Sequence, residues 1–301
     1  MKILVTGAWN ATEEQLQSIR DLGHEVVFQQ QEKDDLVCAY EEIGGVICNG
    51  LFLSHPIERF TNLRYIQLTS AGYDRVPLEY IKAHNIEIHN ARRVYSIPMA
   101  EHALAGVLAI YRRLRDFGQF QRKRHWEKLR ELEELNGKTV LTIGCGSVGM
   151  ECAKRFSAFG CKIIGVGGRH RLVDEVFSEF YLWGEHKKLL PRADILVLTL
   201  PLTDETRHCM DADSLALLKD NTVVVNISRG AIIDQKALES ELESGRLRSV
   251  LDVFETEPLE ATSPLWTMRN VIITPHVSFI GEQNSKRLAL LFMKNLNRAN
   301  L

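Results

Sequence analysis

Long apolar runs are missing from this sequence. The most membrane-like stretch, His102 to Tyr111, is about half of what a bilayer span needs, and arginines follow it, so no membrane passage is expected. An excess of one charge is missing too: 37 Lys and Arg stand against 39 Asp and Glu, for a net charge of -2. That balance gives no electrostatic case for a nucleic acid or an anionic membrane surface as partner. The small basic clusters Arg112–Arg115 and Arg122–Arg124 read as solvated helix faces. The six cysteines show no metal-type pair spacing, so no metal site is expected. No low-complexity tail is present, and the chain opens on a strand-like segment rather than a signal peptide, which points to a reducing cytoplasm. What remains, 45% hydrophobic and 25% charged over 301 residues, is the composition of a globular protein long enough for two domains.

The most informative stretch runs from Val140 to Phe159. An apolar strand, Val140-Leu141-Thr142-Ile143, meets Gly144-Cys145-Gly146-Ser147-Val148-Gly149, and a helix follows with Val148, Cys152, Phe156 and Phe159 on its apolar side. In such a strand–turn–helix unit the first glycine permits a tight turn. The second lets backbone approach a pyrophosphate, and the third lets helix and strand pack closely. The helix N-terminus then offers unpaired N–H groups to the phosphates, so Gly144, Gly146, Ser147, Val148 and Gly149 are candidate dinucleotide-binding residues. Gly160 closes the helix with a residue suited to a left-handed cap.

Around this centre the chain alternates strand and helix. Lys2–Thr6 reads as a buried strand, followed by a helix with Thr12 as N-cap, Gln15 completing a capping box and Gly23 past its end. Val26–Phe28, Gly45–Cys48, Leu63–Gln67 and Ile86–Ile88 are further strands, with a helix over Pro77 to Ala83. Pro98 suits the first turn of a helix lined by Met99, Ala103, Gly106, Val107 and Ile110. The charged stretch Arg112 to Glu134 reads as a peripheral helix or loop. After the glycine turn, strands are expected at Lys162–Val166, Ile195–Thr199, Thr222–Ile227, Leu247–Val253 and Val271–Thr274, and a helix at Gln235–Glu243. The stripe Leu288, Leu291, Phe292 and Leu296 makes the tail a helix that packs on something already built. The expected class is α/β, with two doubly wound parallel-sheet domains: a flavodoxin-like substrate domain over residues 1–96 plus 281–301, and a Rossmann cofactor domain over residues 97–280.

Ligands of open parallel sheets sit beyond the carboxyl ends of the strands. Three such ends carry polar residues: Ser228-Arg229-Gly230, Glu255 with Glu257, and Pro275-His276. Singly, Arg229 could be a surface charge, Glu257 a loop acid and His276 a turn residue; together they suggest a site. Asp252 lies in an apolar strand end, where a buried carboxylate needs a partner. A structural hydrogen bond and a cofactor contact are both open for it.

These strings resemble the D-isomer-specific 2-hydroxyacid dehydrogenases. The matching segments are Leu135–Thr139, Leu200–Thr203 with Thr206, Val225–Ala231 with Asp234, Leu251–Leu259 and Thr274–His276, together with Ser70–Asp74 and Pro98–His102. The resemblance implies that Arg229 grips the carboxylate and carbonyl oxygen of a 2-keto acid, that His276 is the acid/base and that Glu257 holds and charges its imidazole. Arginine presents a planar, always cationic fork that suits a carboxylate, and a neighbouring carboxylate favours a protonated imidazole. It further implies that the N–H groups of Ser70, Ala71 and Gly72 complete the carboxylate site in a cleft between domains. Asp252 would then meet the nicotinamide carboxamide, with Ser147, Val148, Ile227 and Ser228 lining the cofactor.

The sequence departs from the family's pattern at three places. An NAD-specific member would place an acid after the second strand, but here Val166-Gly167-Gly168-Arg169-His170-Arg171 stands. Room at the two glycines and a cation at Arg169, with Arg171 near, favour NADP over NAD, because a 2′-phosphate would pair with the arginine. Tyr95 stands where members often have Asn or Thr. Asn49-Gly50-Leu51 lacks the arginine that phosphoglycerate-type members use, and none occurs from Val46 to Pro56, so an unphosphorylated 2-keto acid such as glyoxylate or hydroxypyruvate is expected. The resemblance also implies a homodimer, with Arg112 to Glu134 as an arm. The alternatives are a cofactor-sensing corepressor-like scaffold without turnover and a phosphoglycerate-type dehydrogenase. Formate dehydrogenases pair the histidine with glutamine, and Glu257 counts against them.

Overall fold

The computed structural model describes residues 1–169 and 176–299. From the N-terminus the chain forms β1 (Lys2–Thr6), α1 (Glu13–Arg20), β2 (Glu25–Gln29), β3 (Ile43–Cys48), β4 (Tyr65–Leu68), α2 (Leu78–Ala83) and β5 (Glu87–His89). It continues through α3 (Ser96–Tyr111), α4 (Leu114–Arg122), β6 (Thr139–Ile143), α5 (Ser147–Ala158), β7 (Lys162–Gly167), β8 (Glu179–Leu182) and α6 (His186–Leu189). Then come β9 (Ile195–Leu198), α7 (Ala212–Ala216), β10 (Val223–Asn226), α8 (Gln235–Glu243), β11 (Arg248–Leu251), β12 (Val271–Ile273) and α9 (Asn284–Leu296). Two compact units result, one of Met1–Tyr95 with Gly281–Leu301 and one of Ser96–Ile280.

In the first unit five parallel strands lie in the order β2-β1-β3-β4-β5, which makes the gap between β1 and β3 the point where the winding reverses. The tail helix α9 closes one face: Leu288, Phe292 and Leu296 are buried in one cluster with Ile3, Val5, Trp9 and Tyr65. The Phe292 and Trp9 rings meet edge to face at 4.9 Å, a geometry that adds to the area they bury. Helix α1 starts on the expected capping box, with Gln15 N–H donating to Thr12 Oγ1 and Thr12 N–H to Gln15 Oε1. Gly23, past its end, has φ +84°.

The second unit holds seven parallel strands in the order β12-β11-β10-β9-β6-β7-β8, reversing between β6 and β9. Helix α3 lies against this sheet, and a Cβ on Gly106 would fall 2.5 Å from Val250 of β11, so only glycine permits the approach. Strand β8 adds an edge that the apolar pattern does not announce, because Glu179–Leu182 is half-buried throughout. In α5, Cys152 and Phe156 are buried as expected, but the helix ends at Ala158 and Phe159, rotated past it, is 45% exposed. The stretch 112–134 is α4 followed by irregular chain, with Trp126 exposed. No helix among the described residues is long and apolar enough to cross a membrane.

Candidate active site

The carboxyl ends of five neighbouring strands assemble the site of the second unit. At the reversal point, Gly144 has φ +100°, and a Cβ there would lie 2.7 Å from the Thr199 backbone. A Cβ on Gly149 would lie 2.3 Å from the Gly144 carbonyl oxygen. Gly146 differs: among the described residues nothing lies within 4 Å of its Cβ position. As N-cap of α5 it supplies no side-chain hydrogen bond to the first turn. The glycines thus divide their labour: two bring turn, helix and the end of β9 into contact, and the third begins the helix with no side-chain cap. That arrangement fits a dinucleotide pyrophosphate.

Arg229, Glu257 and His276 follow β10, β11 and β12, three adjacent strands. His276 Nδ1 donates to Glu257 Oε2 at 2.7 Å, and the two side chains are 41% and 36% exposed. Glu257 Oε1 accepts the Phe254 N–H at 3.0 Å, so both oxygens of the carboxylate are positioned. A histidine whose Nδ1 is committed in this way presents Nε2 as its working nitrogen. Arg229 belongs to a turn built by Asn226, which donates from Nδ2 to the Arg229 carbonyl (3.0 Å) and accepts from Ser228 N–H (3.1 Å) and Oγ (2.8 Å). Arg229 Nη1 donates to the Ser228 carbonyl at 2.8 Å. Gly230 locks this turn onto the next, since a Cβ there would sit 1.9 Å from the Phe254 carbonyl carbon. Sequence reading passed over Asn226 and Gly230; a polar residue ending Val223-Val224-Val225 and a glycine beside the arginine were the available signals.

The other candidates are placed as follows. Ile227 is buried in the core, and the Ser228 hydroxyl is used on Asn226. Asp252 is fully buried, and its carboxylate accepts from Thr274 Oγ1 (2.6 Å), Val277 N–H (2.9 Å) and Ser278 N–H (2.9 Å). It therefore fastens the loop that carries His276, whose own N–H donates to the Asp252 carbonyl at 2.8 Å. Arg169 is exposed two residues beyond β7, next to Gly168, around whose Cβ position nothing lies within 4 Å among the described residues. Arg171 lies outside the described residues.

In the first unit, Ser70, Ala71 and Gly72 follow β4. The Ser70 carbonyl accepts from Ala91 N–H (2.8 Å), that of Ala71 from Asn90 Nδ2 (2.7 Å) and that of Gly72 from Ser70 Oγ (3.0 Å). The Tyr95 hydroxyl donates to the Thr69 carbonyl just before them. Beside β1 and β3 a carboxylate is already in place: Glu32 accepts from Thr6 Oγ1 (2.7 Å), Asn49 N–H (2.6 Å) and Gly50 N–H (2.7 Å). Glu32 escaped sequence reading because its partners lie 26, 17 and 18 residues away.

Neither thiol nor metal chemistry is suggested elsewhere. All six cysteines are free, and burial pushes the Cys161 and Cys209 thiols up to about 11, which keeps them protonated near neutrality. Among the described residues no group of three or more His, Cys, Asp or Glu could hold a metal ion.

Residues 104–278 match the family described as D-isomer specific 2-hydroxyacid dehydrogenase, NAD binding domain, over more than half of the chain. The chain belongs to this family. It is 31% identical to a hydroxypyruvate reductase of Thermotoga maritima, over 90% of either protein. It is also 32% identical to a D-3-phosphoglycerate dehydrogenase of Methanocaldococcus jannaschii over 99% of this chain, but spans only 57% of that longer relative. Among solved structures, an NADPH-dependent glyoxylate/hydroxypyruvate reductase from Sinorhizobium meliloti superposes with a TM-score of 0.80 at 26% identity, covering 98% of this chain and 93% of that one. Family membership accounts for the two parallel sheets and makes the second unit a nicotinamide-dinucleotide-binding domain.

Proposed function

We propose that this protein reduces a small, unphosphorylated 2-keto acid to the D-2-hydroxy acid. The observation that carries the proposal is the 2.7 Å pair of His276 Nδ1 and Glu257 Oε2, at the same carboxyl-end edge of the sheet as the glycine turn. The bound nicotinamide supplies the hydride. Arg229 holds the substrate carboxylate through its planar fork, orienting the carbonyl. As hydride reaches the carbonyl carbon, His276 gives its Nε2 proton to the carbonyl oxygen, and Glu257, 2.7 Å from Nδ1, holds the ring in place for that transfer. In the reverse direction the neutral imidazole takes the hydroxyl proton. The N–H groups of Ser70, Ala71 and Gly72 serve as further carboxylate donors, a role supported by the way that loop commits its carbonyls to the protein.

The absence of phosphate on the substrate is supported in the first unit, where Glu32 occupies the N–H groups of Asn49 and Gly50 and would repel a second anion. This separates the reading from the phosphoglycerate-type alternative. NADP is preferred over NAD on the strength of exposed Arg169 beside Gly168. The protein works as a cytoplasmic homodimer; exposed Trp126 and Leu114, on the stretch with little core of its own, support a second copy covering them.

The decisive assay is a panel of glyoxylate, hydroxypyruvate and 3-phosphohydroxypyruvate with NADPH and NADH. Turnover of the first two, with NADPH favoured and the ratio lost in Arg169→Ala, is expected. A protein that binds the cofactor but reduces none would be a scaffold, and preference for the phosphorylated acid would make it phosphoglycerate-type. Light scattering at micromolar concentration should exceed the 34.3 kDa of one chain.

A further inference from the structure

The Asp252 carboxylate is fully buried, and among the described residues no cationic side chain pairs with it. Its charge rests on three donors, Thr274 Oγ1, Val277 N–H and Ser278 N–H, all from the segment that carries His276. Removing one donor from a buried carboxylate costs more than an ordinary hydrogen bond, because the lone pair it served is left unsatisfied. The donor whose direction the backbone does not fix is Thr274, since a hydroxyl rotates and an amide does not. One further contact settles its rotor: His102 Nε2, from α3, lies 3.0 Å from Thr274 Oγ1.

A threonine hydroxyl has one proton. With Thr274 Oγ1 at 2.6 Å from Asp252 Oδ1, which also accepts the Val277 N–H, that proton is committed to the carboxylate. Thr274 Oγ1 must then accept from His102, so Nε2 of His102 carries hydrogen. The chain of donation runs His102 to Thr274 to Asp252, and Asp252 in turn fixes the loop from 274 to 278. His276 sits in that loop with φ +53°, a left-handed conformation that a β-carbon disfavours and the surrounding hydrogen bonds must maintain.

We infer that His102 is a positioning residue for the reduction: by donating to Thr274 it keeps the Asp252 clamp closed and so holds His276 where its Nε2 can reach the substrate. The inference rests on His276 being the proton donor, as proposed above.

Two variants separate donation from bulk. His102→Phe fills the space without a donor, and His102→Gln restores an N–H at similar reach. In His102→Phe, kcat for hydroxypyruvate should fall about 10-fold, the scale of one lost hydrogen bond, with NADPH affinity unchanged within about twofold. Hydrogen exchange of the segment 274–280 should quicken in the same variant. His102→Gln should recover both readouts, and Thr274→Val should match His102→Phe, with the double variant no worse than either single one. Parental kcat in His102→Phe, or faster exchange with kcat unchanged, overturns the inference. Equal damage from Phe and Gln does so as well. If the parent reduces no 2-keto acid at all, the proposed function fails instead. The exchange data then still decide whether His102 closes the clamp.

Discussion

Both units are parallel sheets whose winding reverses between two neighbouring strands, and both place a turn and a helix N-terminus after the first strand, yet among the described residues the two places are filled differently. In the first unit, α1 satisfies its own N-terminus through the Thr12–Gln15 box, and the Glu32 carboxylate takes the N–H groups of Asn49 and Gly50. In the second, α5 begins on Gly146 with no side-chain cap and open space around the Cβ position. The lesson is that topology marks where an anion can bind, but the hydrogen-bond account at that place decides whether one does. A helix end already capped from within has little to offer a phosphate.

The comparison can be broken by giving the second unit what the first has. Gly146→Asp would place a carboxylate at the N-cap of α5, at φ -74°, which any residue adopts. It should lower NADPH affinity by more than about 100-fold, since two charges near 4 Å repel by about 4 kcal/mol at an effective dielectric of 20. The free protein should melt no lower, because aspartate is a good cap. Calorimetric titration and a thermal melt would check both halves. Affinity retained within a few-fold would mean that the turn does not receive the pyrophosphate.

Next in size is Gly230→Ala, which would drive a methyl group into the Phe254 backbone. Overpacking against backbone costs about 1–3 kcal/mol, and the displaced turn carries Arg229. A fall of about 100-fold in kcat/KM is expected, the usual scale for a misplacement near 1 Å, with dinucleotide affinity little changed. The smallest effect sharpens the comparison from the other side. Glu32→Gln removes the built-in charge from the first unit while keeping an acceptor for one N–H group. The ratio of kcat/KM for 3-phosphohydroxypyruvate over hydroxypyruvate should rise about 10-fold, as expected for about 1.4 kcal/mol of relieved repulsion. An unchanged ratio would show that Glu32 does not set the substrate's charge.

Much of this was legible in the sequence, for reasons that particular residues make clear. The glycine turn could be read because its spacing is local: Gly149 packs on Gly144 and Gly146 caps the helix between them, although the contact of Gly144 with Thr199, 55 residues on, was not legible. Arg229, Glu257 and His276 could be read because a parallel sheet sends every strand's carboxyl end to one edge, so position in the strand order fixes position in space. The supporting contacts were not legible. His102 and Thr274 are 172 residues apart, and Glu32 meets Thr6 from 26 residues away; no periodicity announces such pairs. Asp252 stayed open between two roles because sequence shows that a buried carboxylate needs donors without showing which ones. Strand β8 was missed because a half-buried edge strand lacks the apolar run of its neighbours.

The account's central claim is that His276 and Glu257 act as one proton-donating unit. The kcat/KM of hydroxypyruvate reduction in the parent and in Glu257→Gln tests it most directly. Glutamine keeps a hydrogen-bond acceptor within reach of the histidine, 2.7 Å away in the parent, but removes the negative charge. The account predicts that kcat/KM in the variant falls by about 10-fold or more, with NADPH affinity unchanged. Full activity in the variant would contradict it, and Glu257 would then be an ordinary acid in a loop.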